Sequence, residues 1–398
     1  MDHVRVIDGP GVWMEGEALR QLERVASHPA CVAAAGMPDL HPGPGTPIGA
    51  SVALRGTLWP ALLGGDLGCG VRLVGLRRLK ARGDDLVRRM EDVLSRFPLD
   101  DADPAELIEG VWRLGPRGLV GIDGVPQGLQ AFAAEVTPCT EPVGDVPDAV
   151  FARQLGTVGG GNHFLELARV QEVVDREAAA EVGLEKGGFA VVAHSGSRGL
   201  GKHLAGRWGG VVLDEADAAP WLADVQGAVN YARTNRLVLA WRMLTAVGMA
   251  RPGRVSGGLD LGHNVVESQQ VGGARAWVHR KGSAPAHLDQ LTVVLGSRGT
   301  PSWVMRGRGD SDCLCSVAHG AGRKLDRGKA VALMRHRYKR AELRRTSLGG
   351  RVLCNDRDAL YAEHPDCYKP VEPVIQALEH AGAATRVASL VPVLTVKR

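Results

Sequence analysis

The feature that most narrows what this chain can fold into is a repeated pattern: a short apolar run suited to a buried strand, closed by a glycine-rich turn carrying a basic or imidazole side chain. Residues 189–193 run into His194-Ser195-Gly196-Ser197-Arg198-Gly199-Leu200-Gly201, residues 274–278 into His279-Arg280-Lys281-Gly282, and residues 291–295 into Gly296-Ser297-Arg298-Gly299. Such strands, alternating with helical stretches, describe an α/β protein whose chemistry sits on the loops at the strand ends. Apolar spacing places helices over 15–26, 84–94 (with Asp84 as N-cap), 229–247 and 371–380. Further strands are expected at 50–54, from Asn162 onward, and at the end, closing on Thr395 to Arg398. The stretch 36–49 is crowded with proline and glycine and reads as an ordered loop, not a helix or a central strand. Residues 99–150 are acidic and punctuated by Gly and Pro, and read as a variable insertion of loops and short helices.

At 398 residues the chain can form one continuous domain spanning 1–398. A formal charge of +4 is too small to imply nucleic-acid binding, but the charge is uneven. Ten Lys/Arg fall between Arg323 and Arg345 against Asp326 and Glu342, a band that suits either a phosphate backbone or a solvated helix face. With 8 Trp, 4 Tyr and 5 Phe, the chain is poor in the stacking platforms of single-strand binders. Seven cysteines make no paired framework, and no apolar run is long enough to cross a bilayer. A reducing, cytoplasmic setting is expected, with thiols available as ligands.

Candidate chemistry begins at Gly64-Gly65-Asp66-Leu67-Gly68-Cys69-Gly70. A carboxylate and a thiol three residues apart among glycines can wrap a divalent cation softer than Mg; the same residues can also be a turn with a capping Asp and a buried Cys. Gly159-Gly160-Gly161 offers backbone N–H groups to a phosphate, and Asn162, His163 and Glu166 follow at once. In an extended backbone Asp39 and His41 point to one side. His194, His263 and His319 each lie within two residues of a glycine, where a structural role is also open to them. No P-loop, dinucleotide fingerprint or K-x-D-G is present.

Taken together, the motifs D-x-G-C-G at 66–70, G-G-G-N-H-F-x-E at 159–166, H-S-G-S-R-G-x-G at 194–201, H-N at 263–264, R-K-G at 280–282 and S-x-x-H-G-A-G-R at 316–323 resemble, in order, the signature set of the RtcB family of RNA ligases. The resemblance implies a single-domain α/β fold with mixed β-sheets and surrounding helices around a central two-metal cleft. It implies ligation of RNA 3′-phosphate or 2′,3′-cyclic phosphate ends to 5′-hydroxyl ends with GTP and two Mn²⁺ ions, in RNA repair or tRNA splicing, and leaves room for an activating protein partner. By motif match, Cys69 bridges the metals, with Asp66, His163, His194 and His263 as the other ligands. His319 is the nucleophile that takes GMP, with Asp39 and Arg198 as further catalytic residues. Asn162, Glu166, Asn264, Gly296, Ser297, Ser302, Gly320, Ala321, Gly322 and Lys397 bind the nucleotide, and Lys281, Arg323 and Arg327 hold RNA phosphates. Pro44 and Arg298 depart from the family pattern, which has a long side chain such as Lys at the first and an apolar residue such as Met at the second. A binuclear metallo-phosphoesterase would share the Asp/Cys/His shell without needing His319 or Lys397. A non-catalytic RNA binder would need only the basic band.

Overall fold

The computed structural model describes residues 3–77, 79, 83–251 and 253–397. Two mixed sheets carry the fold. The smaller has five strands in the order Val4–Val6, Cys31–His41, Ile48–Leu54, Ala274–Lys281 and Asn264–Val271. The larger has eight: Leu291–Val294, Ser302–Gly307, Ala384–Lys397, Phe164–Val173, Phe189–Ser195, Gly70–Leu76 and Val255–Gly262 in line, with Arg351–Cys354 parallel to Ala384–Lys397. Both sheets draw strands from distant parts of the chain, and helices surround them, as an α/β reading requires.

The register of the larger sheet gathers the chemistry. Phe189–Ser195 lies between Phe164–Val173 and Gly70–Leu76, with His194 opposite both Phe164 and Val71, while Gly70 lies opposite Gly262. Cys69, His163 and His263 are each one residue beyond a strand end, so four donor residues meet at one corner of the sheet. Behind that corner runs the 28-residue helix Ala219–Ala246. Trp112, Leu119, Leu129, Trp221 and Tyr231 form part of a core joining it to residues 99–150, where the short helices Pro104–Leu114 and Gln127–Ala134 are found.

Several elements differ from the sequence expectation. The strand Cys31–His41 takes in the first half of the expected loop, leaving only 42–47 irregular. Pro38 is tolerated in this internal strand because pairing with Ile48–Leu54 breaks between Gly36 and His41, so no ladder donor is needed there. The helix Gly83–Ser95 has Asp84 in its first turn rather than at the cap, bonded to Arg351 at 2.9 Å. Ala219–Ala246 begins ten residues before the expected 229, with Pro220 in its first turn. The strand expected from Asn162 begins at Phe164, whereas Phe189–Ser195 and Ala274–Lys281 run past their apolar segments and include His194 and His279. Arg398 lies outside the described residues.

Candidate active site

Four nitrogen and sulfur donors converge at the sheet corner. Cys69 Sγ lies 3.3 Å from His163 Nε2, 3.5 Å from His194 Nε2 and 3.3 Å from His263 Nε2. Asp66 Oδ2 is 2.9 Å from His163 Nε2, and the Nε2 atoms of His194 and His263 are 3.3 Å apart. All five sequence-derived metal ligands are thus together, Asp66 and His163 forming one close pair beside the thiol and His194 and His263 another. The glycine at 196 is required: a Cβ there would lie 2.1 Å from Asp66 Oδ1, a buried oxygen with no hydrogen-bond partner.

The electrostatics fit a cation. Burial first, then the neighbouring imidazoles, hold His194 and His263 well below the usual histidine range, so both offer neutral lone pairs. Burial raises the Asp66 carboxyl, but His163 and Arg198 outweigh it and keep it below its ordinary value. Burial and Asp66 push the Cys69 thiol far up, a tendency a bound cation reverses. Carboxylate, thiol and imidazole donors suit Mn, Fe, Co or Zn better than Mg.

A second cluster adjoins the first. His319 Nδ1 lies 2.7 Å from Asp39 Oδ2, and its ring centre lies 4.8 Å from that of His263. Asp39 is fully buried, and Gly320 N–H donates to the same Oδ2 at 3.3 Å. The Asp39 contact is made by Nδ1 and leaves Nε2 as the other ring nitrogen. His41 Nδ1 is 2.8 Å from the Asp39 carbonyl, and burial lowers its pKa to about 4, so this imidazole is neutral.

These groups open onto a cleft of about 360 Å³. Asn162, Glu166, Gly296, Ser297, Gly320, Ala321, Gly322, Arg323, Arg327 and Lys397 line it, as do Pro44 and Arg298, with His194 and His319 at its boundary with the metal-donor cluster. Glu166 accepts from Thr395 Oγ1 at 2.6 Å; burial raises its pKa to about 8 against the opposing pull of Thr395 and Lys397. Lys397 Nζ donates to the carbonyls of Gly161 and His163 and reaches Glu363 at 3.4 Å. Arg198 takes a left-handed φ of 60°, and its guanidinium lies 3.4 Å from His163 Nδ1. A non-glycine residue in that region marks local strain held in place by the surrounding site.

Ser302, Asn264 and Lys281 stand behind the lining, and the arginines of the lining are tied to acceptors of the protein itself. Ser302 Oγ accepts from Gly296 N–H at 3.0 Å, and Asn264 bridges the Asp66 carbonyl and the Gly282 N–H. Lys281 is buried and donates to Thr46, while the Arg298 guanidinium donates to the Leu360 carbonyl. Arg323 donates to Glu363 at 2.9 Å and to the carbonyls of Leu325 and Ala362, whereas Arg327, more than half exposed, reaches Glu363 at 3.4 Å.

Comparison with known proteins places the chain. A profile of the family described as tRNA-splicing ligase RtcB matches residues 21–219 and 210–398. The RNA-splicing ligase RtcB2 of Escherichia coli is 34% identical over 406 residues, covering 100% of this chain and 96% of that protein. The chain belongs to the RtcB family. Among other RtcB proteins, the RNA-splicing ligase of Mycobacterium tuberculosis is 34% identical over 446 residues, covering 95% of this chain and 100% of the relative. The tRNA-splicing ligase of Archaeoglobus fulgidus is 29% identical over 449 residues, covering 96% and 92% respectively.

Two groups in this RtcB chain escape sequence reading. Glu363 is buried in the cleft wall and bonded to Arg323, Arg327, Lys397 and the Tyr368 hydroxyl. No motif marks it; only its place after a long basic band hints at a counter-charge. Asn235 and Arg236 are fully buried in the helix Ala219–Ala246, where the polar run Arg233-Thr234-Asn235-Arg236 just before the apolar residues 237–240 is the signal.

Proposed function

We propose that this RNA ligase joins RNA ends bearing a 3′-phosphate or 2′,3′-cyclic phosphate to 5′-hydroxyl ends, using GTP and two Mn²⁺ ions. The observation that carries the reading is the placement of His319, whose ring is fixed by Asp39 at the junction between the nucleotide-sized cleft and the Cys/His/Asp cluster. Asp66, Cys69, His163, His194 and His263 would hold the metals, with the thiol shared between them, and the ions would supply neutralisation of phosphate charge. His319 Nε2 attacks the α-phosphorus of GTP, forming an N–P bond as pyrophosphate leaves, while Asp39 stabilises the imidazolium that develops. The GMP then passes to the RNA 3′-phosphate to give RNA(3′)pp(5′)G, and attack by the 5′-hydroxyl releases GMP as the phosphodiester forms. A 2′,3′-cyclic end is first opened by water to the 3′-phosphate.

Asn162, Glu166, Ser297, Gly320 and Lys397 are assigned to the nucleotide because they line the cleft onto which His319 opens. Ser302 supports that wall from behind by accepting from Gly296, and Asn264 supports the turn that carries Asp66. Arg327 at the exposed edge is assigned to RNA phosphate, and Arg198, beside His163, is assigned a catalytic role. Lys281, behind the lining and held by Thr46, would meet RNA only through a rearrangement, whereas Arg323, bonded to Glu363, lines the cleft and is assigned to RNA phosphate with Arg327. The whole chain is assigned to one domain, since Ala384–Lys397 pairs with Phe164–Val173 and Ala274–Lys281 with Ile48–Leu54. A cytoplasmic setting follows from the need for a reduced Cys69; no helix among the described residues is long and apolar enough to cross a membrane. Incubating the protein with radiolabelled GTP, Mn²⁺ and RNA of defined ends tests the reading. Labelled protein and a joined product are expected, whereas loss of terminal phosphate without label or joining would identify a metallo-phosphoesterase instead.

A further inference from the structure

The helix Ala219–Ala246 carries a buried polar device facing the metal-donor corner. The Arg236 side chain is 0% exposed. Its guanidinium forks onto Asp260 through Nη2 at 2.6 Å and Nε at 3.2 Å, while Nη1 donates to the carbonyls of Gly68 at 2.7 Å and Ser195 at 3.0 Å. Gly68 immediately precedes Cys69, Ser195 immediately follows His194, and Asp260 lies three residues before His263 in the strand that leads to it. Arg72, paired opposite Asp260, holds the same carboxylate at 3.5 Å. One planar group therefore bridges the three backbone segments that present Cys69, His194 and His263. Asn235 secures the neighbouring turns, donating to Ser195 Oγ and the Gly196 carbonyl and accepting from the N–H groups of Gly156 and Thr157.

We propose that Arg236 is a positioning residue for the metal centre, setting the spacing of Cys69, His194 and His263 through the carbonyls next to the first two and the Asp260 carboxylate on the strand that leads to the third. This rests on the metal reading given above. Lysine cannot replace it: a single ammonium cannot hold a carboxylate side-on and also reach two carbonyls, so at least one buried acceptor is left unpaired and its segment is freed. Groups that orient metal ligands in this way typically change metal affinity by about 10- to 100-fold when removed.

The probe is Co²⁺ titrated into metal-free protein, read by the thiolate-to-cobalt charge-transfer absorption, which reports on the Cys69 bond rather than on turnover. Arg236→Lys is expected to stay folded by circular dichroism and to bind Co²⁺ about 10- to 100-fold more weakly, with an altered band. Arg242→Lys is the control for mere helix anchoring, since Arg242 is a buried arginine of the same helix that binds the carbonyls of Gly156, Val93 and Arg96. It should lose thermal stability and keep parental Co²⁺ affinity. If Arg236→Lys does not fold, Asp260→Asn, which releases the fork from its other side, is read in the same way. Parental Co²⁺ affinity and band in a folded Arg236→Lys or Asp260→Asn protein would overturn the proposal. A parent that gives no charge-transfer band, and so behaves like Cys69→Ala, would overturn the metal reading itself.

Discussion

Replacing Glu363 by glutamine removes the carboxylate that Arg323, Arg327 and Lys397 share in the cleft wall. Burial alone would raise this carboxyl, but Lys397, Arg323, Tyr368 and Arg327 together draw it down from 4.5 to about 2. At about 1.4 kcal/mol per pH unit, that gap is worth about 3 kcal/mol to the folded state. Because the folded value is the lower one, the contribution is complete above the unfolded value near 4.5 and is lost as pH falls through the folded value near 2. Glu363→Gln should therefore unfold in urea with about 3 kcal/mol less stability than the parent at pH 7. The difference should shrink steadily between pH 4.5 and 2, where the parent's own carboxyl becomes neutral. A difference that stays constant over that interval would show that the loss comes from packing and not from charge. No difference at pH 7 would refute the view that this carboxylate organises the three cations.

Two further outcomes follow from the site. Cys69 stands 3.3 to 3.5 Å from three imidazoles, so Cys69→Ala should lose more metal than His263→Ala, as measured by elemental analysis of the purified proteins; equal content in Cys69→Ala and the parent would remove the bridging role. Arg327 stands at the cleft and Arg340 outside it, so Arg327→Ala should impair RNA joining far more than Arg340→Ala, and RNA affinity should fall steeply with salt as phosphate contacts release counterions; binding unaffected by salt would reduce the basic band to a solvated surface.

What the sequence displays and what it conceals divide along physical lines. The donor residues are legible because each lies within two residues of a glycine, in motifs whose composition is unusual even without coordinates. Their convergence is not legible, since it depends on the register that sets Gly70 against both Ser195 and Gly262. The strand through Pro38 is hidden because proline normally forbids a central strand, and only a break in pairing reconciles the two. The start of Ala219–Ala246 is hidden for another reason: none of residues 221–244 is exposed, so the helix has no single apolar face for periodicity to reveal. The same burial conceals Arg236, whose partners are two main-chain carbonyls that carry no sequence signature and the carboxylate of Asp260 on another element. Glu363 is concealed because its four partners come from Arg323, Arg327, Tyr368 and Lys397, which only the folded chain brings together.

The central claim is that His319 carries GMP, and the most direct test is to locate the adduct. The protein is incubated with GTP and Mn²⁺, digested, and the modified peptide sequenced by mass spectrometry, with His319→Ala treated in parallel. The account predicts GMP on His319 alone and no adduct in His319→Ala. That variant should fail to join a 3′-phosphate end yet still seal a pre-activated RNA(3′)pp(5′)G end, because the remaining step no longer needs the nucleophile. GMP mapped to any other residue, or an undiminished adduct in His319→Ala, would contradict the account.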